Sequence, residues 1–323
     1  MTDETVANIP RVILGTMTFG LEKTSTDTSL VRIRGVDNVA PFLTTFHAHG
    51  HIEVDTARLY GNGDTETLLS QLPTAHFKIS TKAYPFAPGF HNKEKLPKQF
   101  KDSLAALKAE KVDIFYLHAP DKSVPFEETL KAVDDLYKEG LFERFGLSNY
   151  PAWNVAQIYE ICKQNGYVRP SVYQGMYNPI ARSVTKELLP CLKQYNMAFY
   201  AYNPICGGVL SGKYKFAEDE VKDGHRYDPN TRFGKMFRER YWTKTNFEAV
   251  QELTKVVTAN NLTSLRQPSG LTAKDGIIMG ASTVAQLEES LTALDQGPLP
   301  EEMIKAFDEA WEHVKATTIW YFE

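Results

Sequence analysis

Residues Val112–Ser148 read VDIFYLHAPDKSVPFEETLKAVDDLYKEGLFERFGLS. A run of β-branched and aromatic residues, Val112–His118, is followed by a stretch with helical apolar spacing, Phe126–Glu139, and then by a second strand-like run, Phe145–Ser148. Strand, helix and strand within about 35 residues is the signature of a βαβ unit, whose strands lie parallel. The same unit recurs in both directions. Working outward, strand-like runs fall at Val12–Leu14, Ile52–Asp55, Phe77–Thr81, Ser171–Gln174, Ala198–Tyr202 and Gly276–Gly280. Amphipathic segments such as Phe100–Lys111 and Trp153–Asn165 separate them. Eight α/β repeats at this spacing predict a (β/α)8 TIM barrel of ~250 residues with insertions, not an open doubly wound sheet. No linker or break in composition divides the 323 residues, so residues 1–323 read as one domain. The interval from Tyr202 to Gly276 is the longest, and its first half, Gly207–Arg240, reads as a loop over one end of the barrel.

Composition narrows the function. The net charge of −4 comes from interspersed signs, with no basic tract to follow a nucleic acid and no polybasic membrane anchor. No apolar run approaches the ~20 residues of a membrane helix, and the polar start MTDETVANIP is unlike a secretory leader. Three scattered cysteines suit neither a disulfide framework nor a zinc site, which points to a reducing, cytoplasmic setting.

In a barrel of this kind chemistry gathers where strands end and βα loops begin. The polar residues there are Asp55, Lys82, His118, Ser148, Asn149, Gln174 and Asn203, with Tyr60 five residues beyond Asp55. Carbonyl reduction by hydride transfer needs a proton for the oxygen that gains charge. A tyrosine supplies it if a lysine lowers its pKa from ~10 and a carboxylate holds the lysine. Tyr60, Lys82 and Asp55 are those parts, and His118 can donate a hydrogen bond to the substrate oxygen. Singly, each has an ordinary reading as an ion pair, a loop aromatic or a capped strand end. Their convergence on one mouth favours a catalytic set.

The segments DTARLYG (Asp55–Gly61), STK (Ser80–Lys82), YLHAPD (Tyr116–Asp121), GLSNY (Gly146–Tyr150), YQGMYN (Tyr173–Asn178) and YNPICGGVLSGKY (Tyr202–Tyr214) resemble the aldo-keto reductase superfamily. With the closing AW…YF, they look like its aflatoxin-aldehyde / succinic-semialdehyde reductase branch, and the likeness spans Val12 to Phe322. The resemblance implies an NADPH-dependent reductase of small carbonyl substrates with the tetrad Asp55, Tyr60, Lys82 and His118. It places Ser148, Asn149 and Gln174 on the nicotinamide carboxamide and Tyr202 against the ring. Asn203–Lys213, including Gly207, would cover the pyrophosphate, and Ser282, Thr283 and Gln286 would grip the 2′-phosphate at a helix start. Ser290 stands where the family often has an asparagine facing adenine. The oligomeric state is left open, a homodimer included.

Other signals weigh less. GGVLSGK (Gly207–Lys213) satisfies the phosphate-loop spacing, but Tyr214 replaces the Ser or Thr that would ligate magnesium. His47, His49 and His51 precede strand two and so lie at the wrong face for a barrel metal site. Aromatic-rich Phe233–Trp242 suits a substrate lid. The rival to an enzyme is a non-catalytic NADPH-binding redox sensor or assembly subunit on the same barrel. One departure concerns the fold itself. Between Phe247–Ala259 and strand eight the family carries a further amphipathic helix, whereas here only Leu262–Leu271 stands there, with Pro268 and Gly270 opposing a helix. The helix between strands seven and eight is thus missing or replaced, and the expectation is that Phe247–Ala259 slides over the outer faces of Phe199, Ile277 and Met279.

Overall fold

The computed structural model describes residues 10–23, 30–216, 226–259, 271–295 and 299–322. Eight parallel strands close into a barrel: β1 (Arg11–Gly15), β2 (Glu53–Asp55), β3 (Lys78–Ala83), β4 (Val112–Leu117), β5 (Phe142–Ser148), β6 (Pro170–Met176), β7 (Ala198–Tyr202) and β8 (Gly276–Met279). Each pairs with its neighbours in sequence. β1 closes the ring by pairing Gly15 with Asp55 on one side and Leu14 with Met279 on the other. All eight expected strands are present. The start moved most at β5, which begins pairing at Phe142 and not at Phe145.

Strand alternation divides the side chains. Ile13, Ile114, Tyr116, Val172, Tyr200 and Ile278 fill the barrel, while Leu14, Phe115, Leu117, Leu147 and Phe199 point outward beneath the helices. Filling it with Tyr116 requires Gly146 on the adjacent strand, because a Cβ there would lie 2.3 Å from the Tyr116 ring. The barrel helices include α1 (Val36–Ala48), α2 (Asp64–Leu69), α3 (Lys95–Leu107), α4 (Phe126–Lys138), α5 (Ala152–Asn165) and α6 (Leu188–Gln194). In α4 the buried residues Leu130, Val133 and Leu136 repeat at helical spacing. Glu127 and Glu128 open the helix and Lys138 closes it, as its dipole favours.

The long interval after β7 is more ordered than its composition suggests. It contains a 3-10 turn (Cys206–Ser211) and two helices, α7 (Arg232–Tyr241) and α8 (Lys244–Ala259). The Gly207–Arg240 stretch is therefore only partly loop. Thr231 caps α7 by accepting a hydrogen bond from the Gly234 N–H at 3.0 Å. The expected relocation of Phe247–Ala259 onto the barrel wall is not what the packing shows. Phe247, Val250 and Leu253 join a second cluster with Phe237 and Tyr241 of α7 and with Met303, Phe307 and Val314 of the C-terminal helix α10 (Glu301–Val314). The apolar stripe of α8 packs chiefly against that of α10. The outer seam is covered nonetheless, Phe199 being 2% and Ile277 4% exposed. The substitute segment Leu262–Leu271 lies, apart from Leu271, outside the described residues, as does Glu323. Helix α9 (Val284–Asp295) follows β8 and packs on α1. Among the described residues no helix is long and apolar enough to cross a membrane.

Candidate active site

The C-terminal ends of the strands open into a cleft of about 910 Å³. At its floor Asp55, the last residue of β2, receives Lys82 Nζ on Oδ2 at 2.6 Å and Gln174 Nε2 on Oδ1 at 2.9 Å. Lys82 also donates to the Thr56 carbonyl at 2.7 Å and lies 3.4 Å from the Tyr60 hydroxyl. Its exposure is zero, so it meets the cleft through Asp55 and Tyr60, both of which line it. Tyr60 and His118 meet edge to face with ring centroids 5.9 Å apart. The four residues expected to converge do so, two from strands (Asp55 and Lys82) and two from the segments that follow β2 and β4 (Tyr60 and His118).

The Tyr60 loop is held by residues that sequence reasoning passed over. Gly61, Asn62 and Gly63 follow Tyr60 in left-handed conformations, which turn the chain back over the mouth. Arg58 bonds Glu66 at 2.7 Å, and Glu66, fully buried, accepts from Thr81 of β3 at 2.6 Å. That chain of contacts braces the loop to the strand that carries Lys82. The Arg-to-Glu spacing carries no signal by itself, because only the turn brings the two together.

The electrostatics differ in one respect from the sequence expectation. Burial, then the charge of Asp55, pushes the Tyr60 pKa well above 10. The ammonium is occupied by Asp55, and burial pulls the Lys82 pKa down against that carboxylate's support. Tyr60 therefore holds its proton firmly. His118 is pushed well below 6.5 by burial, then by the Lys82 charge, and is a neutral imidazole at physiological pH.

Above the floor, Ser148, Asn149, Gln174, Tyr202, Asn203, Gly207 and Lys213 all line the cleft, and Ser282, Gln286 and Ser290 line its far end. Asn149 and Asn203 adopt left-handed conformations, φ 63° and 54°, at the two strand ends where side chains must turn into the mouth. Asn149 gives its amide N–H to the His118 carbonyl at 2.8 Å and accepts from the Tyr202 hydroxyl at 2.9 Å. Thr283 is the exception. It caps α9, accepting from the Gln286 N–H at 3.2 Å, while Gln286 Oε1 accepts from the Ser282 N–H at 3.1 Å. This reciprocal capping accounts for Thr283 without a ligand and leaves it off the cleft wall. Ser290 reaches the wall but gives its hydroxyl to the Gln286 carbonyl at 2.7 Å.

The cleft also contains residues outside the expected set: Thr16 and Met17 after β1, Arg32, Tyr84, Arg226 and Arg232. The strand-end rule applied to β1 reaches Thr16 directly. Arg226 and Arg232 belong to the long insertion, where an excess of basic residues is the only sequence signal. Of the proposed lid, Phe233, Met236 and Phe237 face the cleft, whereas Trp242 packs on Phe247 and Tyr227. The phosphate-loop-like GGVLSGK forms the 3-10 turn and not a strand-to-helix cradle. His47 lies at the end of α1 against Phe77, and among the described residues no cluster could hold a metal ion.

Comparison with known proteins agrees with this architecture. The model of the aldo/keto reductase family matches residues 11–312. An aldo-keto reductase of Pseudocercospora fijiensis is 41% identical over 87% of this chain and 99% of its own length. The human aldo-keto reductase family 7 member A3 is 38% identical over 94% of this chain and 95% of its own. Aflatoxin B1 aldehyde reductase member 2 of Mus musculus is 39% identical over 94% and 85%. With a matching family model over almost its whole length and an eight-stranded barrel beneath it, this chain belongs to the aldo/keto reductase family and is an oxidoreductase.

Proposed function

We propose that the chain reduces aldehydes and reactive dicarbonyls to alcohols with NADPH, and that Tyr60 is the general acid. The observation that carries this reading is the buried Asp55–Lys82–Tyr60 contact chain at the floor of the cleft. The donor set also suits a nicotinamide dinucleotide. Amides and hydroxyls (Ser148, Asn149, Gln174) stand beside Tyr60, and the capped start of α9 stands at the far end of the same cleft. The bound cofactor would supply the hydride. The protein's part is the proton.

A carbonyl oxygen placed between Tyr60 and His118 accepts a hydrogen bond from each. Because burial keeps Tyr60 protonated, the proton leaves only when the oxygen gains charge. The phenolate that results lies 3.4 Å from the Lys82 ammonium, which stabilises it and shares its proton with it. The neutral His118 orients the oxygen without competing as an acid. Met17, Leu59, Tyr84, Phe233 and Met236 give the substrate an apolar wall, consistent with relatives named for an aldehyde of aflatoxin B1.

The test is loss of NADPH absorbance with a panel of aliphatic, aromatic and α-dicarbonyl substrates. Tyr60→Phe is expected to lose ~10²–10⁴-fold in kcat while binding NADPH almost as before. Retention of more than half the activity would remove Tyr60 from this role.

A further inference from the structure

Only Asn149, Tyr150 and Pro151 separate the end of β5 at Ser148 from the start of α5 at Ala152. Ser148 and Asn149 line the cleft, and Asn149 does so from a left-handed backbone, φ 63°. A joint this short stands where its two ends are fixed. The strand side is tied to its neighbours. The Tyr150 carbonyl accepts from the Tyr173 hydroxyl of β6 at 2.7 Å, and the Asn149 amide donates to the His118 carbonyl at 2.8 Å. The helix side has no such device of its own. Pro151 occupies the cap position and makes no side-chain cap, which leaves the first N–H of α5, on buried Ala152, to find an acceptor elsewhere.

The acceptor comes from the far end of the chain. The hydroxyl of Tyr321, itself buried, accepts from the Ala152 N–H at 3.0 Å and donates to Glu187 Oε1 at 2.6 Å. Glu187 immediately precedes α6, so one phenol ties the tail to the starts of two neighbouring helices. Thr318 leads the tail there by donating to the Ile180 carbonyl at 3.3 Å. Phe322 holds it beyond, edge to face with Trp153 of α5 at 5.2 Å between ring centroids. A serine or aspartate at position 151 would cap the helix locally. Taking the cap from a residue 169 positions away makes the placing of the joint depend on the docked tail.

We propose that Tyr321 is a positioning residue for the cleft: by capping α5 it sets where Ser148 and Asn149 stand, and so how the nicotinamide end of the cofactor is held. The step to the nicotinamide rests on the reductase reading above. The step from Tyr321 to the joint does not.

The experiment compares the full chain with two variants. Tyr321→Phe keeps the ring and loses the hydroxyl. Ala152→Pro removes the N–H donor at a first helical position, which suits proline. Amide hydrogen exchange over 149–155 reads the joint directly, without cofactor. NADPH and adenosine 2′,5′-bisphosphate, which lacks the nicotinamide half, are then titrated by calorimetry. In both variants exchange at the joint is expected to quicken roughly tenfold, as the loss of one buried hydrogen bond implies. The Kd of NADPH should rise about three- to tenfold while that of the bisphosphate stays within about twofold. A cap that served stability alone would lower Tm and leave the ratio of the two Kd values unchanged. That unchanged ratio in a folded variant would overturn the proposal, as would exchange at the joint equal to the wild type. Should neither variant fold, the wild type decides. Saturating NADPH should slow exchange over 149–155 more than the saturating bisphosphate does, and equal protection by the two would also overturn it. A chain that bound no NADPH would sink the reductase reading and leave the exchange comparison of joint and tail standing, so the two fail separately.

Discussion

His91 gives the barrel a calculable sensitivity to acid. It sits in the loop before α3 and is 1% exposed. Burial is the largest influence and lowers its pKa from 6.5 to about 4, with Asp121 and a hydrogen bond to the Ala83 carbonyl pulling the other way. The sign follows from proton counting. Between pH 6.5 and 4 the unfolded chain binds a proton at this residue and the folded chain does not, so acid favours unfolding. The contribution is fully present above pH 6.5 and disappears as pH falls towards 4. Linkage across that interval gives a loss of about 2 kcal/mol at pH 5 and about 3 kcal/mol at pH 4 from this one side chain. The comparison is urea unfolding of the wild type and His91→Phe at pH 7.5, 6, 5 and 4. Other groups titrate in both proteins, so the difference between the two curves isolates His91. The wild type is expected to lose ground steadily below pH 6.5 relative to the variant. Parallel stability curves over the whole range would refute the reasoning and mean that the ring is protonated, or solvated, in the folded state.

Three further outcomes are expected. Asp55→Asn and Lys82→Met should each cost about 3–5 kcal/mol, because each strands a buried charge, while the double variant should cost far less than their sum; strict additivity in denaturant unfolding would mean the pair is not coupled. Ser282→Ala with Gln286→Ala should raise the Kd of NADPH well above that of NADH and remove ~1 kcal/mol of helix capping. Equal weakening of the two nucleotides would place the 2′-phosphate elsewhere. Leu253→Ala, at a site 5% exposed between α8 and α10, should cost about 2–5 kcal/mol in one cooperative transition. A separate early transition would instead show that this helical layer unfolds independently of the barrel.

The eight strands, their order and the face that carries the chemistry were legible in the sequence, because each depends on short-range alternation and on one polar residue per strand end. Asp55, Lys82, His118 and Gln174 were found by that rule alone, and the DTARLYG segment brought Tyr60 with them. What local pattern does not encode is which surface an amphipathic helix chooses. The stripe of α8 fits strand eight or α10 equally well as a sequence, and only the packed structure pairs it with Phe307 and Val314. The brace from Arg58 through Glu66 to Thr81 is likewise tertiary, since it needs the left-handed turn at Gly61–Gly63 before its members meet. The upward shift of Tyr60 was not legible for a related reason. A pKa depends on burial and on every nearby charge, and the sequence shows a lysine without showing that Asp55 already holds it. Tyr321 and Ala152 are 169 positions apart, so the cap that the tail lends to α5 exists only once the barrel has closed.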